Sequence, residues 1–334
     1  MDPLCQEAAV FAQSKVFRLG LALKASLCLI CVIISSLFLM KKTMRWMPSP
    51  STKVLFLNHM FWTIEVPAGF LIVYIFDFIR FSIHHDDPCS YVLPAKIGLT
   101  LRAIPGIGAT FQTVSIVIIF LERLIATVAP TFIEKSKKNH LGLSLTIAST
   151  LINGGSWIYL VLIRADWSDS QILSTVTTKG NAEPIEWLRR FYLFFEIFTL
   201  ILFATTLLYN KCGAKVKPNA NLSKKYQLAE NKKIMDALLP CFGTHFFLNL
   251  LQFGCFVLFP VFVPDRNRFD TAVWVELVFF QSYLYGLFMP LIIMVKLRRQ
   301  KTSVVNVPLS LDDHFDQINH FYDEKYQVVT QNAK

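Results

Sequence analysis

The sequence predicts an all-α membrane protein, a bundle of seven transmembrane helices with the N-terminus outside and the C-terminus in the cytoplasm. Three observations predict it. The chain is 54% hydrophobic and only 17% charged, whereas soluble domains run nearer about 25% charged. Its apolar residues gather into seven long runs. Its basic residues gather into short blocks between those runs. A soluble chain of this composition would expose too much apolar surface to stay dispersed. The net charge of +10 would suit nucleic acid if it formed one basic face. Blocks between apolar runs instead mark loops that flank membrane helices, so the chain's medium is the lipid bilayer and no nucleic acid is expected.

A spanning helix needs roughly 20 mostly apolar residues to cross about 30 Å of hydrocarbon. Seven stretches qualify: Leu19–Met40, Val54–Ile79, Pro94–Val128, Leu141–Ile163, Trp187–Tyr209, Ala237–Val263 and Thr271–Lys296. The first is longer than the roughly 7–15 apolar residues of a secretory signal. Lys41 and Lys42 follow it directly, so it reads as a retained helix. The third is over-long, which calls for projecting ends or tilt. The fourth has no charge in its interior, while the second and fifth each carry a mid-span carboxylate, Glu65 and Glu196. No internal repeat or low-complexity tract appears. Residues 1–301 form the seven-helix domain and 302–334 a cytoplasmic tail.

Orientation follows from lysine and arginine. The loops after spans one, three and five hold four, three and seven basic residues, and the start of the tail adds Lys296, Arg298, Arg299 and Lys301. The other side has only Lys15, Arg18, Arg80, Arg164, Lys179, Arg266 and Arg268. Basic loops stay in the cytoplasm, so the N-terminus is outside. The sequon Asn221-Leu222-Ser223 then falls in the cytoplasm and reads as a chance tripeptide.

A charge inside hydrocarbon costs at least about 2.5 kcal/mol, so such residues face the bundle interior and find partners. The candidates are Lys24, Glu65, Arg102, Glu196, His245 and Glu276. Arg102 and Glu276 both fall in the outer third. One reading pairs them across a ligand cavity open to the outside; the other lets both snorkel to water. Glu65 and Glu196 lie deeper, where a polar contact between helices is the commonest fate. Glu122 and Arg123 sit at the inner end of the third span, within Phe120-Leu121-Glu122-Arg123-Leu124-Ile125-Ala126-Thr127. An acid beside an arginine at that place matches the pattern of seven-helix G-protein-coupled receptors. Pro67, Pro105, Pro240, Pro260 and Pro290 lie in or near spans, where they kink helices; receptors and transporters share that feature.

Enzyme chemistry finds little support. The seven histidines fall on different segments with no His-x-x-x-His pair, and only His59 and His245 lie within spans. No glycine loop cradles phosphate. Cys28 and Cys31 are spaced C-x2-C but inside a lipid-embedded helix, where they read as small apolar residues. No metal or cofactor is called for.

The third cytoplasmic loop reads Asn221-Leu222-Ser223-Lys224-Lys225-Tyr226-Gln227-Leu228-Ala229-Glu230-Asn231 and runs straight into the sixth span. It resembles the LS-x-(K/R)-(Y/F)-Q-(L/I)-x-E-N signature of nematode serpentine chemoreceptors of the Sra superfamily (Sra, Srab, Srb and Sre). Two other stretches agree. One is Glu122-Arg123-Leu124-Ile125-Ala126-Thr127 followed by Phe132-Ile133-Glu134-Lys135, where Ile133 departs from the family's usual Tyr. The other is Asp87-Pro88-Cys89 before the third span. The resemblance covers most of the seven-helix region. It implies a chemosensory receptor, in the plasma membrane and in sensory-neuron cilia, that binds a small environmental molecule or pheromone and acts on a heterotrimeric G protein. It places Glu122, Arg123, Tyr226, Gln227, Glu230 and Asn231 at the G-protein side. The competing class is a transporter or a ligand-gated cation channel; seven-helix odorant-gated channels of insects have the N-terminus inside, against the charge bias here. Physically, Lys224, Lys225, Lys232 and Lys233 make a cationic face below the sixth span, on a helical extension that contacts either a G protein or anionic lipid.

Two local expectations complete the reading. Leu311, Phe315, Ile318 and Phe321 recur at helical spacing and predict a short amphipathic helix over 309–326. The second outer loop, 164–186, has no cysteine, so it cannot be tied to the third helix by a disulfide. Cys5 and Cys89 are the two cysteines expected outside, where thiols oxidise. A Cys5–Cys89 bond would fold the N-terminal segment over the bundle, with Cα atoms roughly 4.4–6.8 Å apart.

Overall fold

The computed structural model describes residues 3–40, 50–129, 140–213, 222–263 and 281–305, with Val273, Trp274, Glu276 and Val278 between the last two segments. The chain divides into two compact units, Met1–Ile292 and Ile293–Lys334. The described part of the second is the helical stretch that ends at Val305. The tail expectation over 309–326 lies outside the described residues.

The helices are α1 (Pro3–Gln13), α2 (Lys15–Met40), α3 (Pro50–Ser82), α4 (Ala95–Val128), α5 (His140–Trp157), α6 (Ala182–Gly213), α7 (Leu222–Phe262) and α8 (Gln281–Val305). Helix α5 runs on into a π-helical stretch, Ile158–Ile163. Among the described residues six helices are long and apolar enough to cross a membrane, and α8 contains a shorter apolar stretch, Tyr283–Lys296. Helices are dictated here because hydrocarbon offers the backbone no hydrogen bonds. Helix α4 is the central one: 61% of its apolar window is buried, against 22% in α2, α5 and α6. The outer helices turn large apolar side chains outward, as at Leu151, Ile152 and Phe194, which is where lipid would lie.

Helices α3 and α4 approach closely. A Cβ at Gly69 would lie 2.9 Å from Pro105 Cδ, so glycine is required there. One turn toward the other end of α3, Glu65 packs on Gly108 and its Oε2 takes no hydrogen bond. Among the described residues, the interhelical polar contact expected of Glu65 is not made at that oxygen. Beyond it Trp62 stacks on Phe111 with centroids 4.2 Å apart.

The end of the bundle that carries the chain's first residues is tied down in three ways. Asp87 caps a 3-10 turn, Pro88–Tyr91, by accepting from the Cys89 amide at 3.0 Å, with proline at the first position. That turn holds Cys89 in a disulfide with Cys5 of α1, Cα atoms 4.5 Å apart. Beneath it, Phe11, Phe17, Phe81 and Tyr91 form an aromatic cluster. The loop after α5 has no cysteine and is held by hydrogen bonds instead. Its β2 (Ser170–Gln171) pairs antiparallel with β1 (Leu93–Pro94) ahead of α4. Arg80 donates to the Ile172 carbonyl at 2.6 Å and to the Tyr91 carbonyl, and Asp77 accepts from Arg80 and from Ser174.

Candidate functional site

Near the disulfide end, the charged residues form a triad rather than a pair. Glu276 Oε1 accepts from Arg102 of α4 at 3.0 Å, and Oε2 accepts from Lys24 of α2 at 3.1 Å. Lys24 also donates to the Glu276 carbonyl. Arg102 lies over the Phe70 ring at 4.7 Å and Lys24 over the Tyr74 ring at 5.0 Å. Arg102 is 6% exposed and Glu276 8%, so neither snorkels. The sequence reading joined Arg102 and Glu276 across a ligand cavity. The geometry joins them directly and adds Lys24, and neither is among the residues that line the cavity between α4, α5, α6 and α7. Depth along a helix was legible, but the direction each side chain takes around the axis was not.

At the opposite end of α4, Glu122 and Arg123 are both buried. Arg123 grips its own neighbour, donating from Nε to Glu122 Oε2 and from Nη2 to Oε1, each at 2.6 Å. Its Nη2 also donates to Thr52 Oγ1 of α3 at 2.6 Å. Thr127 closes the turn by donating to the Arg123 carbonyl. Tyr226, Gln227, Glu230 and Asn231 fall on α7, whose helix begins at Leu222; their side chains lie outside the described part.

Between these clusters lies a cavity of about 230 Å³, walled by α4, α5, α6 and α7. One wall is built on Thr110. Its hydroxyl accepts from Trp157 Nε1 at 3.0 Å and from Asn153 Nδ2 at 3.2 Å, and donates to the Ile107 carbonyl. Tyr192 donates to Asn153 Oδ1. Gly106 makes room for Trp157, since a Cβ there would sit 2.7 Å from the indole. The facing wall is carried by α6 and α7. Glu196 Oε1 accepts from Asn249 at 2.7 Å and meets His245 Nδ1 at 3.1 Å. This is the interhelical contact expected of Glu196. Gln252 completes the wall with a buried Oε1 that takes no hydrogen bond.

A buried polar chain leaves the cavity toward α3 and α8. His245 packs edge-on to Tyr285, centroids 4.7 Å apart. The Tyr285 hydroxyl meets His59 Nε2 at 3.0 Å, and His59 Nδ1 meets Ser115 Oγ at 2.7 Å. Ser115 already donates to the Gln112 carbonyl. Its oxygen therefore accepts from His59 Nδ1–H, and Nε2 accepts from Tyr285. Gln112 lines the cavity and donates to Thr63 of α3 at 3.3 Å. Sequence reasoning found Glu196 and His245 here and missed Asn153, Asn249, Gln252 and Tyr192. The available signal was neutral: a buried amide also demands partners, and three lie within spans.

The family model for the serpentine type 7TM GPCR receptor class ab chemoreceptor matches residues 3–329. Serpentine receptor class alpha/beta-14 of Caenorhabditis elegans is 24% identical over 234 residues, which are 66% of this chain and 59% of that relative. The match thus spans less than two thirds of the relative's length. The helical bundle, its apolar outer surface and a family match over nearly the whole length agree: the chain belongs to the serpentine class ab chemoreceptors, multi-pass membrane proteins of the seven-helix receptor type.

Proposed function

We propose that this chain is a chemosensory G-protein-coupled receptor of the plasma membrane, with its N-terminus outside. It takes a small environmental molecule or pheromone into the cavity between α4, α5, α6 and α7 and activates a heterotrimeric G protein at the Arg123 end. The observation that carries this reading is the continuity between cavity and packing. Gln112, Glu196 and His245 line the cavity and belong to, or touch, the hydrogen-bonded chain that reaches α3 and α8. A ligand that favours one arrangement of that chain shifts the population of helix packings. At the far end of α4, Arg123 holds α3 through Thr52 and is the group to be released. The amino-terminal part of α7 supports a partner contact: Leu222–Lys233 carries Lys224, Lys225, Glu230, Lys232 and Lys233, too polar for hydrocarbon, and extends roughly 18 Å at 1.5 Å per residue. Tyr226, Gln227, Glu230 and Asn231, among four lysines, lie on this extension. Arg102 and Glu276 serve on this reading as a clamp one turn from Gly106.

The test is G-protein activation in heterologous cells over a panel of odorants and pheromones. The reading expects at least one activator, whose effect is lost when Trp replaces Thr113, a residue of the α4 wall, and fills the cavity at unchanged surface expression. Ligand-driven current or uptake without G-protein activation would favour the channel or transporter class instead.

A further inference from the structure

We infer that this cavity selects a small ligand with a hydrogen-bond-donating, cationic head, a primary amine on a compact apolar body. The inference rests on reading the cavity as the ligand site. It starts from which polar groups in the wall are already satisfied. The donor groups on the Thr110 side are each engaged: Trp157 and one N–H of Asn153 donate to Thr110, Tyr192 to Asn153, and Thr110 to Ile107. Gln112 donates to Thr63. What remains on the facing wall is acceptor capacity. Asn249 and His245 both approach Glu196 Oε1, which leaves Oε2 without a donor among the described residues. Gln252 Oε1, three residues along α7 from Asn249, is buried and has no donor either.

A carboxylate whose second oxygen is unserved, at mid-depth of a bundle, has capacity for a further donor beside His245 and Asn249. A bound ammonium supplies such donors, reaching Glu196 and Gln252 together. The rest of the lining suits the body of such a ligand. Trp157, Tyr192 and Phe253 present aromatic surface to a cation, and Val161, Ile185 and Leu188 present aliphatic surface. The volume of about 230 Å³ lies below the roughly 300–1,000 Å³ of drug-sized sites, so the ligand is small. Arg189 is the lining residue of opposite sign. It is exposed, seven residues before Glu196 on α6, and faces Glu186 at 3.8 Å. An anionic head would have to stay near it and could not use the Glu196 wall.

Three probes share one body and differ in the head: cyclohexylamine, cyclohexanol and cyclohexanecarboxylate. Their affinity is read from the unfolding midpoint of the purified full chain in lipid nanodiscs. The amine is expected to bind tightest, then the alcohol, then the carboxylate. Glu196→Gln should weaken the amine by about tenfold or more, as for a charge-assisted hydrogen bond, and change the alcohol less than about twofold. If E196Q does not fold, Gln252→Leu carries the same comparison. Preference for the carboxylate, or amine binding unmoved by both variants, overturns the inference. If the carboxylate binds and Thr113→Trp abolishes it, the cavity remains a ligand site and only the amine class falls. If no probe binds, or Thr113→Trp leaves binding intact, the cavity reading falls as well.

Discussion

The two ends of α4 bury charge in different ways. At the disulfide end, Lys24, Arg102 and Glu276 come from three separate segments, and each cation holds its own oxygen of one carboxylate. At the other end, Glu122 and Arg123 are adjacent on one helix, and Thr52 joins both to α3. The first arrangement cannot loosen without leaving a buried ion unpaired, which typically costs about 3–5 kcal/mol. The second can part from Thr52 while Glu122 and Arg123 stay paired, at the cost of the hydrogen bond from Arg123 to the Thr52 hydroxyl and the longer one that this hydroxyl donates to Glu122, each roughly 1.5–3 kcal/mol. A fixed joint and a releasable latch on the same helix are what a lever needs. The proposed signalling role uses them in that order.

The largest expected effect comes from breaking the fixed joint. Glu276→Gln leaves two buried cations facing a neutral amide. It should cost about 3–5 kcal/mol and sharply lower the fraction of chain at the cell surface. The apolar triple variant Lys24→Met, Arg102→Met and Glu276→Met removes every charge and should express better than Glu276→Gln alone. Equal expression of the two would mean the triad is not the joint. Losing the Cys5–Cys89 bond comes next. It closes 84 residues, for which chain entropy gives at most about 4.5 kcal/mol; restraint of the chain by the membrane reduces that figure. Cys5→Ser should lower the unfolding midpoint in nanodiscs without altering ligand affinity in the cavity. Cys89→Ser should match it, since the pair acts as one bond.

At the latch the expected effect is functional. Arg123→Ala leaves the buried Glu122 without its cation, so it should lower surface expression, and per surface receptor it should cut or deregulate G-protein output; unchanged potency and basal level would make Arg123 a simple anchor. The smallest structural effect is Thr52→Val, which removes one hydroxyl. It should cost about 1 kcal/mol of stability yet raise basal G-protein activity. A stability loss with no change in basal activity would assign Thr52 to packing alone.

The parts of this picture legible from sequence are those set along the chain axis. Hydropathy located α3 and α4 because lipid allows little but apolar helix at those depths. It placed the start of the third span at Pro94, where β1 meets α4. Cysteine accounting singled out Cys5 and Cys89, which the structure bonds, because the others fell in spans or on the cytoplasmic side. What runs around the helix axis was not legible. Lys24 was known to be intramembrane, but nothing in its neighbours says that it turns toward Glu276. Glu65 was expected to find a polar partner and packs on Gly108 instead, an outcome that depends on how closely α3 and α4 approach. The cavity left the faintest trace. Several of its polar groups, Tyr192, Asn249 and Gln252, with Asn153 behind Tyr192, are neutral, lie on three helices, and acquire meaning only once those helices pack. Hydropathy also reported only the apolar part of α7, which continues as helix back to Leu222.

The most direct test of the cavity-to-latch account is nucleotide exchange on a purified heterotrimeric G protein by the receptor in nanodiscs, with an activator taken from the panel. Three forms are compared: the unaltered chain, Thr113→Trp and Thr52→Val. The account predicts that Thr113→Trp abolishes the activator's effect and leaves basal exchange unchanged, while Thr52→Val raises basal exchange and keeps the activator's effect. An undiminished response in Thr113→Trp together with unaltered basal exchange in Thr52→Val would contradict it.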